Sequence, residues 1–455
     1  MEKNMPQERL LILMSLAKLH DEEMDEAKKL AKQVDDWDLF WELSYTNRVV
    51  PLVKSNLEKI GAFSALPPSI QDKFIKRSNK IREMNKARLQ AGVRFMEKLR
   101  ENQIPVVILK GVNFAETIYK NPHYKRMNDI DLLVKPEDLQ RIYPLLETLD
   151  FFSIVALTGG SEKHNEKRSH HAAYINRSLT CMVGLHWKLI NPLSPFHYDY
   201  EAIWSRVSEF PIEGTVAGTM APEDNLHHVC VHLPYYKTGL RELADIYNLI
   251  RQHRDALDWD LLLATIEKAD THEPMFHALS LANRICSIPE LEKITGALRS
   301  RCSGRVVADT QMKTADLSLL LRNRSTHQSV IEKAFSSFNA TKEAKEKFHF
   351  FIKVWKAMLF PPVFEIVKMN YLKNPSPAAI LYGRLTTPIR IFRLICRELG
   401  TGIFALALLK STFDMCASAV QALFSQSKGQ IDYETYAREI GITKEGLERF
   451  KAGIE

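Results

Sequence analysis

Two aspartates, Asp129 and Asp131, stand two residues apart in the apolar stretch Asn128-Asp129-Ile130-Asp131-Leu132-Leu133-Val134. In a β-strand, residues i and i+2 project from the same face. The two carboxylates then lie side by side, and a cation between them relieves their repulsion. Carboxylate oxygens suit Mg2+ or Mn2+, ions that handle phosphates. Upstream, Lys110-Gly111 ends the apolar run Val106-Val107-Ile108-Leu109. Glycine lets the backbone approach a ligand, and the N-terminus of a following helix favours anions. Lys110 and Gly111 are therefore expected to hold phosphates. Lys125 and Arg126, just ahead of the second strand, add positive charge. Phosphoryl or nucleotidyl transfer needs a cation, phosphate donors and a base near the attacking hydroxyl. The first two are in view here; the base is expected on a neighbouring strand of the same face.

The elements that must position these groups are legible around them. Residues 106–109 form a continuous apolar run of strand length, the mark of a buried central strand. Residues 112–119 read as a short helix, Asn121-Pro122-His123 as a turn, and residues 130–134 as the second strand. Pro136-Glu137-Asp138 opens a helix, since proline suits the first turn and acidic residues the N-terminus. That helix continues through Leu139, Ile142, Leu145, Leu146 and Leu149, with Pro144 placed to kink it. Residues 151–155 read as a third strand and 158–168 as a loop. Residues 172–175 and 179–187 are expected to form an antiparallel hairpin around Asn176-Arg177-Ser178. Residues 104–190 thus read as one compact α/β unit.

The flanks are helical in pattern. Leu10, Leu13, Met14 and Ala17 form one stripe, and Trp37, Phe40, Trp41, Leu43 and Val50 continue another, until Pro67-Pro68 breaks the pattern. A long helix over 70–101 is expected to be a strut with a solvated charged face. From Glu201 onward the chain again reads as helices. Pro222-Glu223-Asp224 opens one that carries His227, His228 and His232. These histidines lack an HExxH partner and are expected to pack between helices. Arg241 and Asp245, four apart, are expected to pair along a helix. Residues 259–268 and 274–285 read as amphipathic helices, and 302–330 as the least organised part. The last hundred residues keep a helical period with basic punctuation from Lys353 to Arg397.

Composition sets bounds without choosing a function. The chain has 455 residues, 45% hydrophobic and 26% charged, which is ordinary for a globular protein and excludes a disordered one. The length suits two or three domains. A net charge of +7 accommodates anionic substrates, nucleic acid or a membrane surface and selects none of them. Six cysteines stand in no CxxC or zinc spacing, and the charged N-terminus lacks a secretory apolar region. Both features imply reduced core thiols and a cytoplasmic protein. The most apolar window, 402–409, is cut by Lys410. It falls short of the about 20 residues that span a bilayer.

The combination of an apolar strand into Leu109-Lys110-Gly111, then Tyr119, a basic residue ahead of Asp129-Ile130-Asp131-Leu132-Leu133-Val134, and Leu185-His186-Trp187 resembles a known family. It is a poorly characterised nucleotidyltransferase family of bacteria and archaea, a branch of the DNA-polymerase-β-like superfamily. Residues 37–57, Pro222-Glu223-Asp224, residues 240–245 and Leu257-Asp258-Trp259 are similar to its flanking helices, so the resemblance covers roughly residues 10–290. It implies an α+β fold, with a small mixed-sheet core embedded in a predominantly helical protein. It also implies an NTP, with Mg2+ or Mn2+ held by Asp129 and Asp131, and transfer of a nucleoside monophosphate to an acceptor hydroxyl. The superfamily serves sugars, antibiotics, peptides, proteins and tRNA ends, so the acceptor stays open, nucleic acid included.

One position departs from that pattern. The family's third carboxylate usually stands directly before Leu-His-Trp, and here that position is Gly184. His186, on the same strand face, is the expected partial substitute and joins Asp129 and Asp131 as a catalytic candidate. Glu166, in the loop, is a second source of a carboxylate. With neither, the chain reads as a degenerate nucleotide-binding or partner-binding protein. A peripheral membrane contact through the basic C-terminal helices is a third reading. The expected division is a helical region over 1–103, the core over 104–190, a helical domain packing on it over 191–300, and a basic helical region over 301–455.

Overall fold

The apolar runs around Asp129 become the centre of one seven-stranded mixed sheet. The computed structural model describes residues 6–154, 169–190, 194–233, 239–285 and 287–315, with 166, 321, 378, 381–386 and 441. The strands are β1 (Val107–Ile108), β2 (Ile130–Leu133), β3 (Phe151–Ser153), β4 (His171–Asn176), β5 (Met182–His186), β6 (Ser208–Ile212) and β7 (Thr215–Thr219). Their order is β3-β4-β5-β2-β1-β7-β6. β2 runs parallel to β5, and β1 parallel to β7. The other neighbours are antiparallel. With the surrounding helices this is an α+β architecture.

Five helices precede the sheet: α1 (Pro6–Leu13), α2 (Asp21–Ala31), α3 (Trp37–Thr46), α4 (Val50–Lys59) and the long α5 (Pro68–Glu101). Between strands lie α6 (Lys110–Thr117), α7 (Leu139–Thr148) and α8 (Tyr200–Ser205). After the sheet come α9 (Pro222–His232), α10 (Leu240–His253), α11 (Trp259–Ala269), α12 (His272–Ile285), α13 (Pro289–Arg299) and α14 (Gly304–Ala315). The chain divides into two compact units. One holds residues 1–192, 196–325 and 430–455, and the other 193–195 and 326–429. All of these elements lie in the first.

The two faces of the central strands have different partners. Ile108, Ile130, Leu132, Val183 and Leu185 belong to one core with Leu89, Val93 and Met96 of α5 and Leu139, Ile142 and Leu146 of α7. The approach of α5 is close: a Cβ on Gly92 would overlap Ile130 Cδ1. Alternation then puts Asp131, Leu133, Gly184 and His186 on the opposite face. There Leu133 joins Val107, Leu109, Leu189, Ile203 and Met220 in a smaller apolar cluster beside the aspartates.

Two expectations need correction. The stretch after Glu201 is not purely helical, because β6 and β7 form a hairpin that extends the sheet along β1. Its turn is Glu213-Gly214, both with positive φ (43° and 86°), the geometry a two-residue hairpin needs. Pro211 inside β6 fits only because β6 is an edge strand. Second, part of the region expected to be least organised is the regular helix α14. Cys181, Cys230 and Cys302 are thiols, as expected, among the described residues. No helix among those residues is long and apolar enough to cross a membrane. The apolar window 402–409 and the basic run from Lys353 to Arg397, apart from Arg384, lie outside the described residues.

Candidate active site

The sheet sets Lys110 beside the aspartates. Leu109 N donates to Asp131 O at 2.9 Å, which fixes the end of β1 against β2. Lys110 then turns the chain into α6 with a φ of 38°. That is left-handed backbone on a residue with a long side chain, a strain that collects at functional positions. Lys110 Nζ lies 3.8 Å from Asp131 Oδ2 and also contacts His232 Nε2. A Cβ on Gly111 would meet only Met127 Cγ, at 4.0 Å. Packing within the protein therefore does not demand glycine here, and its absent side chain leaves the start of α6 accessible to a ligand.

Imidazoles crowd the same face. His186 pairs with His171 across β5 and β4, and their rings stack at 4.9 Å. The His170 ring is 4.4 Å from that of His171. His186 Nε2 donates to Asp131 Oδ1 at 2.9 Å, since a carboxylate can only accept. On α9, His228 and His232 pack edge to face at 5.3 Å. The helix-packing role expected of all three α9 histidines holds for His227, which bonds Thr271 Oγ1 at 2.7 Å. His228 and His232 instead come up beside Lys110 and the aspartates, because a helix turns successive residues about 100° apart.

Charge is concentrated and poorly hydrated here. Burial and the adjacent Asp131 carboxylate push Asp129 up from its ordinary value. Burial also opposes ionisation of Asp131, but Lys110 and His186 outweigh it and hold that carboxyl below the usual range. Burial lowers Lys110, with Asp131 and Asp129 working against it. Burial first, then neighbouring imidazoles, bring His170 down to about 2 and His171 to about 4. The two imidazoles are therefore neutral lone-pair donors near pH 7.

The segment that leads into β2 is held from two sides. From α5, Asn85 Nδ2 donates to the Pro122 and Lys125 carbonyls, both at 2.8 Å, and Arg88 Nη1 donates to Met127 O at 2.8 Å. Asn85 and Arg88 are buried, so α5 is more than the strut with a solvated face that its composition suggests. From α10, Asp245 accepts from Tyr119 Oη at 2.9 Å and from Lys125 Nζ. Lys125, expected to bind nucleotide, thus spends its charge on a buried carboxylate. Arg241 pairs with Glu242 at 2.6 Å, not with Asp245 as the spacing suggests. Arg126 is buried, and burial followed by the nearby Arg48, Arg77 and Arg241 guanidinium groups lowers it to about 9. A recess opens there, lined by Arg48, Leu52, Tyr119, Tyr124, Lys125 and Arg241.

Gly184 sits opposite Asp131 in the β2–β5 register. A Cβ there would overlap Asp131 Oδ1 and come within 3.3 Å of His186 Nε2. The aspartate and histidine thus fill the space a larger residue would take. Glu166 does not stand in for the missing carboxylate. Its Oε1 accepts from Tyr143 Oη at 2.6 Å on α7, and Tyr143 packs on the opposite face of the sheet.

Of the residues singled out from sequence, Lys110, Gly111, Asp129, Asp131 and His186 converge here. Lys125 and Arg126 lie in the preceding segment. His170, His171, His228 and His232 are additions. Their only sequence signals were the His170-His171 pair opening a strand and the one-turn spacing of His228 and His232. No curated protein and no solved structure matches the chain significantly. A family model described as an uncharacterised nucleotidyltransferase matches residues 33–287, more than half of the chain and every one of these positions, and the chain belongs to that nucleotidyltransferase family.

Proposed function

We propose that this protein transfers a nucleoside monophosphate from an NTP to an acceptor hydroxyl, with loss of pyrophosphate. The observation that carries the reading is Lys110 Nζ standing 3.8 Å from Asp131 on the face that also presents Asp129. In this reading Asp129 and Asp131 hold Mg2+ or Mn2+. The donor set fits: two half-buried carboxylates stand side by side, Asp131 raises the cost of ionising Asp129, and a hard divalent ion removes that cost. Such an ion neutralises phosphate charge. The chain's own residues do the remaining work. Lys110 and the half-buried backbone at Gly111 hold the triphosphate, and Arg126, with Arg48 and Arg241 near it, supplies an electropositive wall. His186, bonded to Asp131, orients that carboxylate and with it occupies the space of the third position. The test is incubation of the purified chain with Mg2+ and each labelled NTP plus candidate hydroxyl acceptors. Label transfer with pyrophosphate release supports the proposal, and its loss in Asp129→Ala ties it to this site.

A second reading is favoured by one observation, the absence of a carboxylate at Gly184 with Asp131 and His186 filling its place. In that reading the site binds a nucleotide without turning it over. NTP binding without transfer to any acceptor, and Mg2+-dependent turnover appearing in Gly184→Glu, would favour it over the first.

A further inference from the structure

We infer that His170, His171 and His186 form a second cation site, selective for a divalent transition ion of the zinc class and distinct from the paired aspartates. Each of the three offers a ring nitrogen, and those nitrogens lie within 4.8 Å of one another. They come from adjacent strands: His171 and His186 are register partners, and His170 directly precedes β4. Strand pairing therefore fixes their spacing whether or not an ion is bound, which is the preorganisation a metal site requires.

The hydrogen bonding makes the donors explicit. His186 is 4% exposed, and its Nε2–H is used on Asp131 Oδ1. That bond leaves Nδ1 as the ring's lone-pair atom, and Nδ1 is buried with no hydrogen-bond partner. A carboxylate behind a histidine in this way orients the ring and raises its basicity as a ligand. His170 Nδ1 is likewise buried without a hydrogen-bond partner. A buried polar atom left unpaired costs free energy, and coordination of an ion by both atoms removes that cost. Burial holds His170 and His171 neutral near pH 7, the form in which imidazole binds metal. Three nitrogens suit zinc, cobalt or copper, whereas Mg2+ prefers oxygen. The two sites share Asp131 as a neighbour but take different ions. The inference rests on the histidines alone and stands whether or not the chain transfers nucleotides.

The full chain, stripped with a chelator, is titrated with Co2+ alone and followed by visible d–d absorption, then back-titrated with Zn2+. One equivalent of Co2+ is expected to give ligand-field bands, and Zn2+ to displace it. His170→Asn and His171→Asn should each weaken binding by more than the roughly 10–100-fold that loss of an outer partner costs. Asp129→Asn, which leaves the three histidines intact, should keep the bands. X-ray absorption on the wild-type Co2+ complex should show imidazole scattering, which keeps the test decisive if a histidine variant fails to fold. Absence of ligand-field bands, an all-oxygen shell, or loss of Co2+ in Asp129→Asn would overturn the inference. Mg2+–NTP binding, measured separately, reports on the aspartates, so failure of one site is distinguishable from failure of the other.

Discussion

Asp245→Ala tests how β2 is held in place. Lys125 and Asp245 are 7% and 8% exposed, so their ion pair is cut off from water. Removing the carboxylate strands a buried ammonium, which costs about 3–5 kcal/mol. The Tyr119 hydroxyl also loses its acceptor, for about 1 kcal/mol more. Asp245→Ala should therefore destabilise the chain by roughly 4–6 kcal/mol. Replacing both partners, as Lys125→Met with Asp245→Leu, removes charge and desolvation penalty together. That double variant should recover most of the loss, because apolar replacement of a buried pair is often near neutral. The assay is urea unfolding of wild type, Lys125→Met, Asp245→Leu and the double, with Asp245→Ala alongside, read as midpoints at a shared slope. A strongly favourable coupling energy is expected from the cycle. A cost for Asp245→Ala below about 1 kcal/mol, with coupling near zero, would refute the reasoning. It would return Lys125 to the groups available for a ligand.

Three further outcomes follow from the geometry. Gly184→Ala forces the Asp131 carboxylate off His186, and loss of that charge-assisted bond should cost about 1.5–3 kcal/mol in urea unfolding. Gly92→Ala drives a methyl into Ile130 beneath the aspartates, and thermal melting should show an overpacking cost of about 1–3 kcal/mol. The metal-free protein should lose stability between pH 6.5 and pH 4, measured by unfolding at each pH. In the unfolded chain imidazoles gain protons as pH falls through 6.5, whereas folded His171 does so only near 4 and His227 near 3. The unfolded state then holds more protons, so stability drops as pH falls, by up to about 1.4 kcal/mol per pH unit for each group.

The centre of the fold was legible because its signals are local. The apolar run into Lys110-Gly111, the alternation around Asp129 and Asp131, and the Asn176-Arg177-Ser178 turn each mark one element within a few residues. The family resemblance sets position 184 on the aspartate face, and strand alternation then carries His186 to the same face. The β6–β7 hairpin was missed because Pro211 argues against a strand, and Glu213-Gly214 is a weaker turn signal than Asn-Gly. Arg241 and Asp245 satisfy helical spacing, yet each takes another partner. Asp245 faces Lys125 and Tyr119, 120 and 126 residues away in sequence, at distances no local pattern encodes. The histidine cluster was hidden for the same reason. His170 and His171 meet His186 only through the register of β4 and β5, and His228 and His232 arrive from α9. Asn85 and Arg88 looked like members of a charged surface because their burial depends on the segment that folds over them.

The central claim is that Asp129 and Asp131 jointly hold the ion that carries the nucleotide. Electron paramagnetic resonance of Mn2+, titrated with each NTP against wild type and against Asp129→Asn/Asp131→Asn, measures that directly. The wild type should sequester Mn2+ more tightly when its NTP is present. The double variant, with an unchanged circular dichroism spectrum, should leave the Mn2+–NTP signal as it is without protein. Equal binding by the two proteins, or no effect of any NTP on the wild type, would contradict the claim.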